Sequence, residues 1–267
     1  MDFKNKVVVV TGASSGIGEA LARRFAVLGA HVVAGARTVD KLEAVVSGLP
    51  TEGEAVACDV TREEDCRRLI DRAVERFGRI DVLVNNAGIS MRALFDDVDL
   101  DVLRRLMDTN FWGAVYCTKY ALPYIQRARG SIVGISSVAG FHGLPGRTGY
   151  SASKYAMHGL LETVRIENLK KGVHVLIVAP GFTASNVRFA ALTADGSQQG
   201  VSPREEGKMM TADEAARRII KAIGRRKRTL LMDFDGKGTR ILKFFVPGLL
   251  DKIYYRHMAK EPDSPFK

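Results

Sequence analysis

Cysteine is scarce in this 267-residue chain, with Cys58, Cys66 and Cys117 the three present. Their number and spacing make neither a disulfide framework nor a zinc site, so reduced thiols, a cytoplasmic setting and no structural metal are expected. Long hydrophobic runs are missing too. No apolar stretch approaches the ~20 residues of a membrane span, and with the first strand pattern beginning near Lys6 no signal peptide is expected. Internal repeats, low-complexity tracts and interdomain linkers are absent, as are zinc, helix-turn-helix and RNA-binding signatures. What is present suffices for one sizeable core: 46% of residues are hydrophobic, and a single α/β domain of this length is ordinary. Forty Lys and Arg against 30 Asp and Glu give a net charge of +10. That balance favours anionic ligands such as phosphates, acyl carriers or lipid surfaces. The basic residues are scattered, and nucleic acid is not expected as a partner.

The pattern along the chain alternates. Val7-Val-Val-Val10 is a continuous β-branched run, the mark of a strand buried on both faces. Further strands are read at 31–36, 55–58, 82–84, 131–135 and 173–178. Helices are read from Ile17 to Leu28, from Asp40 to Ser47, and over 62–77, 98–128 and 150–171. Such alternation implies right-handed βαβ units: a Rossmann-type, doubly wound parallel sheet of about seven strands with helices on both faces. Residues 1–235 are assigned to this domain and 236–267 to a C-terminal helical extension, broken at Pro247-Gly248. A small-residue loop over 184–208 precedes a capping box at Thr211-Ala-Asp-Glu214. A loop that long inside a compact domain is expected to be a functional lid.

Two constellations carry chemistry. The turn Thr11-Gly12-Ala-Ser14-Ser15-Gly16-Ile17-Gly18 joins the first strand to the first helix. Gly12 permits a tight turn, while Gly16 and Gly18 let backbone amides approach a pyrophosphate at the helix N-terminus. About 20 residues on, where an acid would hold the ribose hydroxyls of NAD, the second strand ends Ala34-Gly-Ala-Arg37-Thr38. Arg37 suits a 2′-phosphate, so NADP(H) is expected. The second constellation is Tyr150 and Lys154, which share a helical face at i and i+4. A cation beside a phenol favours the phenolate and lowers its pKa, giving a proton donor usable near neutral pH.

Together these residues resemble the short-chain dehydrogenase/reductase family, over about 6–224. The resemblance implies a catalytic tetrad of Asn110, Ser137, Tyr150 and Lys154. The 13-residue spacing to the tyrosine selects Ser137 over Ser136. It also implies cofactor contacts from Asp59 and Val60, from Asn86, Ala87 and Gly88 in Asn85-Asn-Ala-Gly, and from Pro180, Gly181 and Thr183. In these roles Ser137 polarises a carbonyl and Tyr150 protonates its oxygen. Lys154 lowers the tyrosine pKa and holds the ribose, and Asn110 anchors a water. Homodimers or homotetramers, packed through the 98–128 and 150–171 helices, are likewise implied.

Other conspicuous side chains have plainer readings. Ser151 and Ser153 are helix-start and packing residues, since a serine nucleophile needs a partnered base. Cys117 is a core thiol. The expected substrate pocket is apolar, with Ser137, His142, Leu144 and Phe182, together with Val187, Phe189 and the 184–208 loop. The leading function is therefore NADPH-dependent reduction of a hydrophobic, lipid- or steroid-like ketone. A 3-ketoacyl reductase acting on a carrier-linked substrate and a non-catalytic NADP-binding sensor are the alternatives. For the extension, three readings stay open: a cover for the substrate mouth, a partner-subunit contact, or a peripheral membrane contact through its apolar residues and Lys243, Lys252, Arg256 and Lys260.

Overall fold

The computed structural model describes residues 2–181, 183, 189–200, 209–232, 234–260, 264 and 266, with backbone alone at 234–237, 240 and 241. Seven parallel strands form one sheet: β1 Val7–Thr11, β2 His31–Ala36, β3 Gly53–Ala57, β4 Val82–Asn85, β5 Ser131–Ile135, β6 His174–Ala179 and β7 Thr229–Leu231. Their order is β3-β2-β1-β4-β5-β6-β7. The chain therefore winds outward in both directions from β1 and β4. Where the winding reverses, loops at the carboxyl ends of the strands diverge and open a crevice.

Alternation along β1 builds the two halves of the core. Val8 and Val10 point to one face with Leu21 and Phe25 of α1 (Gly16–Val27) and Ile219 and Ile223 of α7 (Ala212–Gly224). Val7 and Val9 point to the other, with Leu69 and Ile70 of α3 (Glu63–Phe77) and Met157 and Leu161 of α6 (Thr148–Glu167). The remaining cover near β2 is α2 (Val39–Ser47). Each fully buried Leu, Ile or Phe contributes roughly 1.5–3 kcal/mol of transfer free energy, so both faces are anchored.

Three departures from the sequence pattern bear on function. The helix expected over 98–128 is α4 (Leu100–Met107), a π-helical segment (Asp108–Trp112) and α5 (Gly113–Ala128). A single periodic pattern does not reveal such an insertion, which is common at functional sites. Strand β7 has three residues and was not among the strand segments read. Its pairing with β6, Ile177 to Thr229 through Ala179 to Leu231, depends on tertiary context. The extension forms α8 (Phe234–Phe245) and α9 (Pro247–Ala259), with Val246 at the break and Pro247 opening the second helix. Before α7, Thr211 Oγ1 accepts a hydrogen bond from the Glu214 amide at 3.1 Å, one half of the expected capping box.

Candidate active site

The crevice is a cleft of about 860 Å³ running from the glycine turn to the extension helices. At its glycine end, Gly12 and Gly16 adopt φ of 64° and 58°, left-handed conformations that side chains resist. The turn is pinned from β4. Asn86 Nδ2 donates to the carbonyls of Thr11 and Gly12 at 2.9 and 3.1 Å. Thr11 Oγ1 accepts from the amides of Asn86 and Ala87, each at 3.0 Å. Gly18 has a different task from the expected one. It is buried and does not line the cleft; a Cβ there would lie 2.3 Å from the Gly12 carbonyl oxygen. Close packing of helix on turn is what requires glycine at 18. Ser14, Ser15, Gly16 and Ile17 do line the cleft at the N-terminus of α1.

That turn also spells Gly-x-Ser-x-Gly through Gly12, Ser14 and Gly16, the spacing of a hydrolase nucleophile turn. In that motif the serine itself occupies a strained strand-to-helix turn. Here the positive φ angles fall on the two glycines and not on Ser14. The backbone instead forms a cradle that fits a pyrophosphate.

Arg37, exposed at the end of β2, lines the same cleft together with Thr38, Asp59, Val60, Asn86, Ala87 and Gly88. Asp59 Oδ1 accepts from the Thr61 amide and hydroxyl at 3.0 and 2.9 Å, which fixes the loop after β3. Pro180, Gly181 and Thr183 close the opposite side beyond β6, where Thr183 Oγ1 donates to the Gly181 carbonyl at 3.2 Å.

The proposed tetrad converges at the centre. Ser137 leaves β5 in extended backbone, and its Oγ accepts from the Ala139 amide at 3.2 Å. Tyr150 sits in the first turn of α6, half-buried, and lines the cleft beside Ser137. Lys154 is 3% exposed. Its Nζ donates to the Ile135 carbonyl at 2.9 Å and lies 5.6 Å from the Tyr150 ring centroid. The neighbouring Ser136 is turned away toward α6, with its Oγ 2.6 Å from His158 Nε2. Its partner is thus 22 residues distant in sequence.

Asn110 lies in the π-helical segment and is fully buried. Its Oδ1 accepts from the Ile89 amide at 2.8 Å, and its Nδ2 donates to the Ile89 carbonyl at 3.0 Å and to Ser153 Oγ at 2.9 Å. Ser153 in turn donates to the Tyr150 carbonyl at 2.8 Å. These bonds tie three elements together. A Cβ on Gly88 would come within 3.0 Å of Asn110 Oδ1 and 3.4 Å of Lys154 Nζ, so glycine keeps that approach open.

The electrostatics correct one expectation. Burial raises the Tyr150 pKa above its ordinary value, and the nearby Ser137 hydroxyl and the Arg147 charge oppose this without reversing it. Burial also lowers Lys154, from 10.5 to about 8. Desolvation disfavours the charged form of both groups. Arg147 is the charged residue that the sequence reading missed. It stands three residues before Tyr150 and lines the cleft, so i, i+3 spacing was the available signal.

The expected substrate residues divide. Leu144 lines the cleft. His142 does not: it is buried, its ring lies 4.9 Å from that of Tyr254, and its Nε2 lies 3.4 Å from Asp251 Oδ1. An apolar contact with α9 has captured it, and burial lowers its pKa. Phe189 is exposed and outside the cleft lining. Phe182, Val187 and the segments 184–188 and 201–208 lie outside the described residues. The extension supplies a wall of the cleft, with Thr239 and Leu242 from α8 and Leu250, Ile253, Tyr254, His257 and Met258 from α9. Among the described residues no His, Cys, Asp and Glu group could hold a metal, and no helix is long and apolar enough to cross a membrane.

A seven-stranded parallel sheet with a glycine cradle at its switch point defines a Rossmann-type nucleotide-binding fold. The family model for short chain dehydrogenase matches residues 6–195, and the chain belongs to that family of oxidoreductases. Dehydrogenase/reductase SDR family member 7B of Mus musculus is 35% identical, the match covering 98% of this chain and 84% of that protein. The 11-beta-hydroxysteroid dehydrogenase A of Arachis hypogaea is 38% identical over 97% of this chain and 77% of its own. An alcohol dehydrogenase from Thermococcus sibiricus, solved with 5-hydroxy-NADP, superposes with a TM-score of 0.76 at 26% identity, covering 86% of this chain and 96% of that one. A Burkholderia phymatum family member solved with NAD gives a TM-score of 0.83 at 24% identity, with 94% and 96% covered, and attests the fold alone.

Proposed function

We propose that this oxidoreductase uses NADP(H) to reduce an apolar ketone or aldehyde, with Ser137, Tyr150 and Lys154 as catalytic residues. The observation that carries the reading is the convergence of Ser137, Tyr150 and Lys154 on the cleft that holds the glycine cradle, with Lys154 Nζ 5.6 Å from the phenol ring centroid. When bound, the nicotinamide supplies or accepts the hydride. The protein's share is orientation and proton delivery. Ser137 and Tyr150 direct their hydroxyls at the carbonyl oxygen, and Tyr150 passes its proton to that oxygen as it becomes an alkoxide. Because Tyr150 has a raised pKa, it stays protonated and ready to donate across the neutral range. The charges of Lys154 and Arg147 then stabilise the phenolate left behind. Asn110 acts as a positioning residue, holding Ile89 and Ser153 around this group.

Arg37 on the cleft wall, with no acid between Ala34 and Thr38, supports NADP(H) over NAD(H). The apolar residues of α8 and α9 in the wall support a hydrophobic substrate, and the steroid-named relatives make a steroid-like ketone the first to try. NADPH oxidation against a panel of steroid, acyl and simple ketones tests the reading. Tyr150→Phe should lower the rate about 10²–10⁴-fold while NADPH still binds, as for loss of a general acid. Equal inertness of wild type and variant, with NADPH bound to both, would favour the sensor alternative.

Two assembly readings accompany this one. Trp112, Ile166 and Leu169 are exposed on the 98–128 and 150–171 segments, which supports a homodimer or homotetramer through those helices; light scattering tests it. At the α8–α9 junction Phe244 and Phe245 are 80% and 79% exposed, next to Leu249, with Lys252 and Arg256 following. That combination supports peripheral contact with an anionic lipid surface. Co-sedimentation with phosphatidylserine vesicles should be lost in Phe244→Ser/Phe245→Ser. The three buried, free thiols support a cytoplasmic location.

A further inference from the structure

Beside His257, the extension places a pair of hydroxyls on a mainly apolar wall of the cleft. Thr239 of α8, 3% exposed, and Tyr254 of α9 share a hydroxyl–hydroxyl hydrogen bond at 2.6 Å, and both line the cleft that holds Ser137 and Tyr150. Around them stand Leu242, Leu250, Ile253 and Met258. Buried hydroxyls in such surroundings are costly unless hydrogen-bonded, which makes a paired set facing a cavity a feature to be explained. The helices that carry the pair also contact the loop after Ser137. Lys243 Nζ donates to the Phe141 carbonyl at 2.9 Å, and the His142 ring lies 4.9 Å from the Tyr254 ring. Phe141 and His142 follow Ser137 by four and five residues, so the wall and the reacting centre share one loop.

We propose that Thr239 and Tyr254 form a second polar subsite, which binds an oxygen function remote from the reacting carbonyl on an apolar substrate. A hydroxyl donates once and accepts twice, so Thr239 retains capacity beyond the bond to Tyr254 and serves either a hydroxyl or a carbonyl. The substrate class is thereby narrowed from any hydrophobic ketone to a bifunctional one: an apolar skeleton with oxygen at both ends. Recognition by a site built to hydrogen-bond an oxygen discriminates against the analogue that lacks it. The inference rests on the carbonyl-reductase reading above.

The test uses two ketone pairs with one reducible carbonyl each: 17β-hydroxy-5α-androstan-3-one against 5α-androstan-3-one, and 12-hydroxydodecan-2-one against dodecan-2-one. Wild type should favour the hydroxylated member of at least one pair by about 3–10-fold in kcat/KM, the effect of one neutral hydrogen bond. Thr239→Val and Tyr254→Phe should remove that preference through KM, leaving kcat and the rate on the deoxy ketone within twofold. Thr239→Ser should restore it. Thermal melting and NADPH affinity of each variant check that fold and cofactor end are intact. Equal wild-type rates on both members of each pair, or equal losses on both in the variants, overturn the subsite while leaving the reductase reading standing. Inertness toward all four ketones, matched by Tyr150→Phe, overturns both.

Discussion

Replacing Lys154 with methionine should make the cofactor-free protein relatively more stable at neutral pH while removing its activity. Burial takes this lysine from 10.5 to about 8. At 1.36 kcal/mol per pH unit, a fall of about 2.5 corresponds to about 3 kcal/mol by which the fold disfavours the ammonium. The sign follows from linkage. Below pH 8 the lysine is protonated in both folded and unfolded chains, and the fold bears the full cost. Between pH 8 and 10.5 the unfolded chain keeps a proton that the folded one has released, so stability rises with pH; above 10.5 the cost is gone. Methionine preserves the apolar stem and removes the charge. It also abandons the 2.9 Å bond to the Ile135 carbonyl, a loss of about 1–3 kcal/mol. At pH 7 the net gain therefore lies between nothing and about 2 kcal/mol, by difference of those two magnitudes. The pH dependence is more diagnostic than the net value. Urea denaturation without dinucleotide, in a Tyr150→Phe background so that the phenol does not titrate, gives the stability difference directly. That difference should move by about 3 kcal/mol in favour of lysine between pH 7 and 10.5. A difference that stays flat would refute a burial cost at Lys154.

The remaining predictions concern other parts of the cleft. Arg37→Asp should weaken NADPH binding about 10–100-fold, as for loss of a hydrogen bond to a charged group, and affect NADH far less; tighter NADH than NADPH binding by the wild-type protein in fluorescence titration would refute the cofactor assignment. Asn110→Ala leaves the Ile89 amide and carbonyl unpaired and should cost about 1–3 kcal/mol, read as a lowered urea midpoint, together with a fall in kcat. Gly18→Ala forces a methyl to within 2.3 Å of a backbone oxygen. Overpacking of that kind costs typically about 1–3 kcal/mol and here distorts the cradle, so dinucleotide affinity should fall more than stability; unchanged affinity would contradict the packing role.

The sheet was legible because buried parallel strands are written as continuous β-branched runs, as in Val7–Val10, and glycine turns mark where they end. Local signals also identified the cradle and the tyrosine–lysine pair, since i, i+4 spacing and a strand–turn–helix transition are short-range facts. What escaped depended on distance in sequence. The π-helical turn that buries Asn110 exists because its amide finds Ile89, 21 residues back, and Ser153, 43 residues on. Strand β7 exists because β6 offers it an edge. His142 was placed among the substrate residues by its position in the loop between Ser137 and Tyr150, yet an aromatic contact with Tyr254, more than 100 residues away, holds it against α9. Helical spacing showed that the extension was amphipathic, but that pattern carries no information about which surface it covers.

The same limit explains why the tyrosine was expected to be lowered and is raised. Spacing reports that a cation stands near a phenol; it does not report how much water either has lost. In the folded cleft both groups are enclosed, and burial acts on each with opposite sign, up for Tyr150 and down for Lys154. Both shifts favour the neutral pair, a protonated phenol beside an amine whose charge fades above about pH 8. Such a site keeps its acid loaded but stabilises the phenolate only while Lys154 is charged. Anything that brings negative charge beside Nζ raises the lysine again and strengthens that support. The catalytic pair is thus set for proton donation by its burial and for charge stabilisation by what binds next to it, and only the first of these is a property of the folded chain alone.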